Sequence, residues 1–194
     1  MPEENELDNK KDEELVELIL ENQSYFLHIV KRYKTKLLSY IRRISNVSQE
    51  EAEDLLQDVF LKVFVNLNDF DDGLKFSSWI YRITHNVVID NFRKTKSRPQ
   101  MVELDMNSDR IKHLADDFDI ERSLDSNFLK IKIQTALGQL DLKYRDILIL
   151  KYLEEKDYQE ISDIIKKPIG TVASRINKAK QELKKVLKKS ASFP

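Results

Sequence analysis

The side chains with the clearest chemistry are cations and hydroxyls on one side of the segment "PIGTVASRINKAKQELKK", residues 168–185. The forked guanidinium of Arg175 can bind guanine O6 and N7 together, whereas a lysine ammonium such as that of Lys185 suits a phosphate. Pro168 is typical of the first position of a helix, where its missing amide costs nothing. The segment therefore predicts an amphipathic helix that contacts duplex DNA. Its candidate contacts are Thr171, Ser174, Arg175, Lys178, Lys180 and Lys185.

A shorter helix is predicted directly before this basic segment. "DYQE", with Asp157 and Glu160, is a capping box that opens a helix through Ile165, and "KKP" then turns the chain. Two short helices joined by a short turn, the second basic near its amino end, are typical of a helix-turn-helix. A basic surface helix on any helical bundle would show the same spacing, so spacing alone leaves that alternative open. The buried stripe of the second helix is predicted to be Val172, Ile176, Ala179, Leu183 and Val186.

A second basic segment, "FSSWIYRITHNVVIDNFRKTK" (76–96), is predicted to bind a single strand. A basic helix beside an aromatic loop suits this role, because the cations follow the backbone while the loop holds an unstacked base. Trp79 completes an apolar stripe and is expected in the core. Phe70 and Phe76 either anchor the loop or contact a base, and Asn86 is either a base reader or an ordinary exposed amide. The outer face of the helix carries Arg82, Asn86, Ile89, Arg93, Lys94 and Lys96.

Charge is strongly segregated along the chain, although the net charge is only −1. Residues 31–43 hold six bases and no acid, and residues 166–189 hold nine bases and one acid. Residues 99–126 hold eight acids and three bases, and residues 1–21 hold nine acids and two bases. Basic segments separated by an acidic one indicate polyanion binding at two places. A solvated charged surface is the alternative for any single run.

The composition of the 194 residues favours a nearly all-α protein of one or two domains. Three glycines and four prolines leave little material for hairpin turns, and the absence of cysteine excludes disulfides and thiolate metal sites. The sequence shows neither an apolar run of about 18 residues nor a basic start before an apolar core. Neither a membrane span nor a signal peptide is therefore expected, and a cytoplasmic setting is predicted.

An enzyme is the least favoured class of protein. His28, His85 and His113 are scattered without metal-ligand spacing, and no glycine-rich loop is present to cradle a phosphate. Each histidine is interpreted as a surface or core-edge residue. No catalytic residue, metal or cofactor is predicted.

Further helices are predicted to position the two basic faces. Asp12 can cap a helix that runs to about Ser45 with a break near Asn22–Ser24. "SQEE", with Ser48 and Glu51, is a capping box that opens the next helix. The apolar residues of that helix face one side, which leaves its polar residues on the other.

A turn-rich loop, "NLNDFDDGLKF" (66–76), precedes the helix of the second basic segment. That helix is expected to open at a cap on Ser77 or Ser78 and to run from Trp79 to about Lys96, and Asp141 is expected to cap a later helix. The chain is thus divided into two small helical domains that an acidic linker holds apart. The predicted boundaries are 1–11 for an acidic tail, 12–96 for the first domain, 97–126 for the linker, 127–189 for the second domain and 190–194 for a C-terminal tail.

Three segments in this order resemble the sigma factors of bacterial RNA polymerase, in the extracytoplasmic-function (ECF) group of the sigma-70 family. "AEDLLQDVFLKVF" (52–64) resembles the helix that grips the clamp helices of the largest polymerase subunit. "FSSWIYRITHNVVIDNFRK" (76–94) resembles the segment that opens and holds the −10 promoter element, and residues 140–183 resemble the −35-binding domain. The resemblance covers roughly residues 13–188.

The resemblance implies a transcription initiation factor without chemistry of its own. Its implied partners are core RNA polymerase, through the clamp helices and the flap, promoter DNA, and an anti-sigma factor. A stand-alone helix-turn-helix repressor is the alternative within DNA binding, and a helical adaptor would leave the two basic faces unexplained.

The resemblance also implies site residues. The implied polymerase contacts are Asp54, Gln57, Asp58 and Lys62. The implied −10 contacts are Phe70, Phe76, Arg82, Asn86, Asp90, Arg93 and Lys94. The C-terminal candidates Thr171 to Lys185 are assigned to the −35 element.

Overall fold

A computed structural model of the protein describes residues 7, 9–45, 47–95, 114–115 and 126–191, and these contain helices and turns but no strand. The prediction of an all-α fold is confirmed. Most of the acidic tail and of the acidic linker, with Lys96 and residues 192–194, lie outside the described residues. The helices are α1 (Asp12–Glu21), α2 (Phe26–Ser45), α3 (Gln49–Val65), α4 (Phe76–Thr95), α5 (Ser126–Gly138), α6 (Leu142–Leu148), α7 (Tyr158–Ile165) and α8 (Ile169–Ala191).

The first domain is built on α2, α3 and α4, which pack against one another, with α1 against α2 and α4. Tyr40 and Phe76 are among the largest fully buried side chains, and Trp79 is buried in the same core, as expected. Because the apolar sides of α3 and α4 are buried in this core, the polar side of each helix faces solvent or the second domain.

The amino end of α4 is capped from another helix. The Phe76 amide donates to Glu13 Oε1 of α1 at 2.9 Å, and α4 begins at Phe76. The predicted cap at Ser77 or Ser78 and the predicted start at Trp79 are therefore wrong. Because Glu13 lies 63 positions away, no local sequence signal marks this cap.

Asp12 also makes tertiary bonds in place of the predicted local cap. Its carboxylate accepts from Arg32 Nη1 at 2.7 Å and from the Tyr33 hydroxyl, and no side chain caps α1. These bonds fasten α1 to α2. The predicted break near Asn22–Ser24 is confirmed, since Asn22 Oδ1 accepts from the Ser24 amide at 3.1 Å and a 3₁₀ turn follows.

Both predicted capping boxes are present. Ser48 Oγ accepts from the Glu51 amide at 3.2 Å, and Glu51 Oε2 accepts from the Ser48 amide at 3.1 Å. Asp157 and Glu160 make the same reciprocal pair before α7, at 2.7 and 3.0 Å. Asp141 precedes α6 but its side chain makes no capping bond.

Replacing Ser48 with alanine should lower the free energy of unfolding by about 1 kcal/mol, because an amide in the first turn of α3 loses its acceptor. Urea denaturation followed by circular dichroism measures the loss. Gln57→Ala, exposed in the middle of the same helix, is the matched control and should change the unfolding free energy by less than about 0.5 kcal/mol. Equal losses in the two variants would show that the capping box does not stabilise α3.

The second domain consists of α5 to α8, with a π turn (Ile149–Leu153) after α6. In the turn between α7 and α8, Lys166 takes a left-handed conformation with φ of 53°, and Ser162 Oγ donates to the Lys167 carbonyl at 2.6 Å. The pair α7 and α8 forms the predicted helix-turn-helix. The buried stripe of α8 is Val172, Ile176, Ala179 and Leu183, and it continues to Leu187, with Val186 only partly buried.

The two domains pack against each other. α4 lies along α7, while α2 contacts α6 and the π turn. The buried apolar residues of both domains form one continuous cluster. The expectation of two domains held apart by the linker is not met in this arrangement, and the contact brings the two basic faces together.

Candidate nucleic-acid interface

The amino-terminal half of α8 presents polar side chains to solvent. Thr171, Ser174 and Lys178 are exposed, and Arg175 is half-buried between them. Ser174 Oγ donates to the Thr171 carbonyl at 3.0 Å, so this hydroxyl is held close to the helix. Farther along, Lys185 is exposed and pairs with Glu182 at 2.9 Å. These residues form a continuous polar strip, here called the α8 face.

Lys180 lies apart from the α8 face. It is half-buried, and its ammonium group stands 5.6 Å from the ring centre of Tyr152, a residue of the π turn. Lys178, by contrast, reaches over Tyr144 at 6.0 Å while remaining exposed. The structure therefore brings Lys178 together with Thr171 and Ser174, and places Lys180 toward the body of the domain.

A second polar strip, the α4 face, consists of Asn86, Asp90, Arg93 and Lys94, all exposed. Arg93 Nη1 lies 3.5 Å from Asp90 Oδ1, so one acid and one base of the face form an intrahelical pair. Arg82 is half-buried at the start of this strip. The strip thus offers an amide and a carboxylate for base edges, with cations at its carboxyl end.

The two aromatic candidates of the preceding loop have different positions. Phe76 is fully buried, with its ring 5.8 Å from that of Tyr33 and 5.6 Å from that of Trp79. Phe70 is half-buried and packs edge-on against Phe76 and Trp79 at 5.4 and 5.5 Å. The placement of Phe76 favours anchoring of the loop over contact with a base, whereas Phe70 keeps an accessible edge.

The outer side of α3 carries Asp54, Gln57, Asp58 and Lys62, all exposed, and is here called the α3 face. Two apolar side chains accompany them, since Leu61 is 64% and Val65 72% exposed. Large exposed aliphatic side chains rimmed by polar residues are typical of a surface that meets another protein.

The α4 face and the α8 face meet in a cleft of about 590 Å³ between the domains. Asn86, Asp90 and Arg93 line it from the first domain, and Lys167 and Arg175 line it from the second. His85 and Asp146 also line the cleft, with His85 Nε2 at 3.0 Å from Asp146 Oδ2. The structure thus brings candidate DNA contacts of both domains into one place.

Comparison with known proteins decides which family these surfaces belong to. The family described as Sigma-70 region 2 matches residues 29–98, and the family described as Sigma-70, region 4 matches residues 130–183. The ECF RNA polymerase sigma factor SigW of Bacillus subtilis (strain 168) is 36% identical over 173 residues, covering 86% of this chain and 91% of that relative. The chain belongs to the ECF group of the sigma-70 family. This sigma factor has its α3 and α4 faces within the region 2 match, and its α8 face within the region 4 match except for Lys185, which lies two residues beyond it.

Solved structures of other proteins share the fold. The structure of CnrH in complex with the cytosolic domain of CnrY has a TM-score of 0.65 and 21% identity, covering 94% of this chain and 99% of that one. The sigma factor RpoE in complex with the anti-sigma factor NepR from Bartonella quintana has a TM-score of 0.59 and 22% identity, covering 84% and 96%. At these identities the similarity shows the fold of this sigma factor.

Sequence reasoning missed the polar contacts between the domains of this sigma factor. Asp146 is only 4% exposed and accepts from the Tyr40 hydroxyl at 2.8 Å as well as from His85. Burial is the largest influence on the pKa of His85 and lowers it, but the charge and hydrogen bond of Asp146 outweigh burial, so the pKa is raised. The one sequence feature that could have indicated these contacts is that an acid, Asp146, stands directly before the apolar run "ILIL".

Two absences concern only the part of the chain that the structure describes. No helix there is long and apolar enough to cross a bilayer. No group of three or more histidine, aspartate or glutamate side chains among the same residues is arranged to hold a metal ion.

Proposed function

We propose that this sigma factor directs core RNA polymerase to promoters by binding the −35 element with its second domain and the −10 element with its first. The observation that carries the proposal is the position of the α4 and α8 faces, each a polar strip on a helix of the matching family region. As members of this family are initiation factors, the chain supplies specificity and the polymerase supplies catalysis.

The −35 element is assigned to the α8 face. The first turns of a recognition helix reach base edges in the major groove, and its later cations reach phosphates. Arg175 is the candidate base reader, and Thr171 and Ser174 flank it on exposed turns of the same helix. Lys178 and Lys185 are assigned to phosphates, while the position of Lys180 beside Tyr152 makes it the weakest of the proposed contacts.

The −10 element is assigned to the α4 face. Asn86 and Asp90 offer hydrogen-bonding groups to unpaired bases, and Arg82, Arg93 and Lys94 follow the backbone. Phe70 supplies an aromatic edge at one end of the strip. Phe76 is left out of the proposed contact set because it is fully buried. Binding the single strand more tightly than the duplex would favour melting.

The α3 face is assigned to core polymerase, with the acids Asp54 and Asp58 and the polar Gln57 and Lys62 around the exposed Leu61. A contact of the second domain with the polymerase flap completes the assembly. Such an assembly places the protein in the cytoplasm. Regulation by an anti-sigma factor is part of the proposal, because the solved structures with this fold include a complex with the anti-sigma factor NepR.

Run-off transcription on a library of promoters tests the proposal. Purified core polymerase should start selectively at a subset of promoters only when this sigma factor is added. A stand-alone repressor would instead bind duplex DNA without polymerase and would lower transcription. Equal promoter selectivity of the polymerase with and without the protein would contradict the proposed function.

A further inference from the structure

A row of uncharged residues runs along the side of α8 that is farthest from its core. The row consists of Gly170, Ser174, Asn177 and Gln181, and all four are exposed. Each of them stands two positions before a member of the buried stripe Val172, Ile176, Ala179 and Leu183. Two residues turn an α-helix by about 200°, so the row lies opposite the buried stripe. It is here called the outer row, and only Ser174 belongs to the contacts assigned so far.

Arg175, by contrast, borders the buried stripe. It stands three positions after Val172 and four before Ala179, and it is half-buried in the cleft between the domains. Residues three and four positions apart share one face of a helix. If α8 enters the major groove with the side opposite its core, the outer row therefore meets the centre of the groove and Arg175 meets one edge.

The lysines of α8 flank the outer row and do not interrupt it. Lys178 and Lys185 each stand four positions after a member of the row, whereas Lys184 stands three positions after one, and all three are exposed. Steps of four and of three lead to opposite sides of a helical row. Base edges form the floor of the major groove, and phosphates line its rims. Uncharged side chains between two flanks of cations match this distribution.

Gly170 is a residue that the fold itself does not require. Its φ is not positive, and a Cβ atom added to it would meet nothing within 4 Å. Glycine inside a helix is less favourable than alanine, and it is useful where a partner approaches the backbone closely. Ser174, the next member of the row, is also small, and its hydroxyl is held to the Thr171 carbonyl at 3.0 Å. The amino-terminal half of the outer row thus leaves room for DNA.

Asn177 carries the first amide of the outer row. Within the part of the chain that the structure describes, its side chain makes no hydrogen bond. The exposed amide of Gln159 on α7, by contrast, donates to Asp163 at 3.0 Å. The residues three and four positions from Asn177 include no acid, and they are Ala173, Ser174, Lys180 and Gln181. An asparagine amide pairs with adenine in the major groove by donating to N7 and accepting from N6.

We propose that α8 enters the major groove of the −35 element along the outer row, and that Asn177 reads an adenine there. The proposal rests on the proposed function and adds a specificity-determining residue to it. Arg175 and Asn177 then divide the reading of bases. A guanidinium at the edge of the helix suits O6 and N7 of guanine, and an amide at its centre suits N6 and N7 of adenine.

Modified promoter DNA tests the contact at the level of single atoms. The probe is the promoter that run-off transcription selects most strongly, with each −35 adenine of either strand replaced in turn by 7-deazaadenine, which lacks the N7 acceptor. The complex of core polymerase with the wild-type chain should bind about fivefold more weakly when one particular adenine is replaced. Asn177→Ala should bind the unmodified promoter about tenfold more weakly. It should also lose the preference for A·T at that position and its sensitivity to 7-deazaadenine.

Two further variants complete the test. Gln139→Ala removes an exposed amide of the same domain outside α8 and should keep both the affinity and the sensitivity. Gly170→Ala adds one methyl group to the outer row. It should leave the unfolding temperature unchanged or higher, since alanine favours the helix, but weaken binding about fivefold on every −35 sequence.

Each result decides one part of the proposal. If Asn177→Ala keeps the wild-type order of preference and the sensitivity to 7-deazaadenine, Asn177 reads no adenine. If Gly170→Ala binds every promoter as tightly as the wild type, α8 does not approach DNA along the outer row. A wild-type complex that selects no promoter would overturn the proposed function as well, whereas a selective complex with indifferent variants would overturn this inference alone.

Discussion

Reversing the charges of Asp54 and Asp58 together should weaken binding to core RNA polymerase by roughly a hundredfold, or about 3 kcal/mol. Both carboxylates are exposed on the α3 face beside Leu61, which is itself 64% exposed. The double variant Asp54→Lys/Asp58→Lys replaces attraction to basic polymerase side chains with repulsion, and like charges placed together at an interface cost several kcal/mol. The exposed position of both side chains in mid-helix lets lysine be accommodated without disturbing the core.

Titration of labelled sigma factor with core polymerase, at low and at moderate salt, measures this loss. The matched control is Glu17→Lys/Glu21→Lys, which makes the same change in net charge at two exposed positions of α1. The control should bind nearly as well as the wild type, and the deficit of the test variant should shrink as salt rises, because exposed charges are screened. Equal losses in both variants would mean that net charge matters and that the α3 face is not the docking surface.

The fold of each domain could be predicted from the sequence wherever the signal is local. The capping boxes at Ser48 and at Asp157, and the turn before α8, all lie where short-range chemistry placed them. Apolar spacing identified the buried stripe of α8 because that pattern is set by the geometry of one helix. Only its last position differed, since Leu187 is more deeply buried than Val186.

The wrongly assigned caps of α1 and α4 have one physical origin. Glu13 caps α4 across the domain, and Asp12 binds Arg32 and Tyr33 of α2 instead of capping α1. In each case the sequence analysis expected a bond between residues close together in the chain, whereas the actual partner lies tens of positions away. A capping preference describes only local bonding, and tertiary partners compete with it.

The sequence predicted which residues belong to the candidate site, but not how the two domains bring them together. Helical spacing placed Asn86 and Arg93 on one side of a helix and the family resemblance added Asp90, and all three side chains are exposed on α4. Nothing in that spacing indicated that Arg175 would line the same cleft. The approach of the two domains depends on bonds between them, such as that of the Tyr40 hydroxyl to Asp146 and that of Arg43 to Glu154. These acids resembled ordinary polar residues until their partners in the first domain were known.

Replacing Arg175 with alanine should weaken promoter binding by about 1–3 kcal/mol and relax selectivity at one base pair of the −35 element. The guanidinium is the one group of the α8 face that can bind a guanine edge with two parallel bonds, and alanine keeps none of them. Lys185→Ala is the matched control. It should weaken binding similarly on every sequence and lower the slope of log affinity against log salt by about one, since it removes a single phosphate contact.

Binding of the polymerase complex to matched and mismatched −35 promoters, at several salt concentrations, separates these two behaviours. The order of preference among −35 sequences within the complex reports whether Arg175 contacts a base. If Arg175→Ala keeps the wild-type order of preference and only flattens the salt dependence, then Arg175 binds a phosphate and the base reader lies elsewhere on the α8 face.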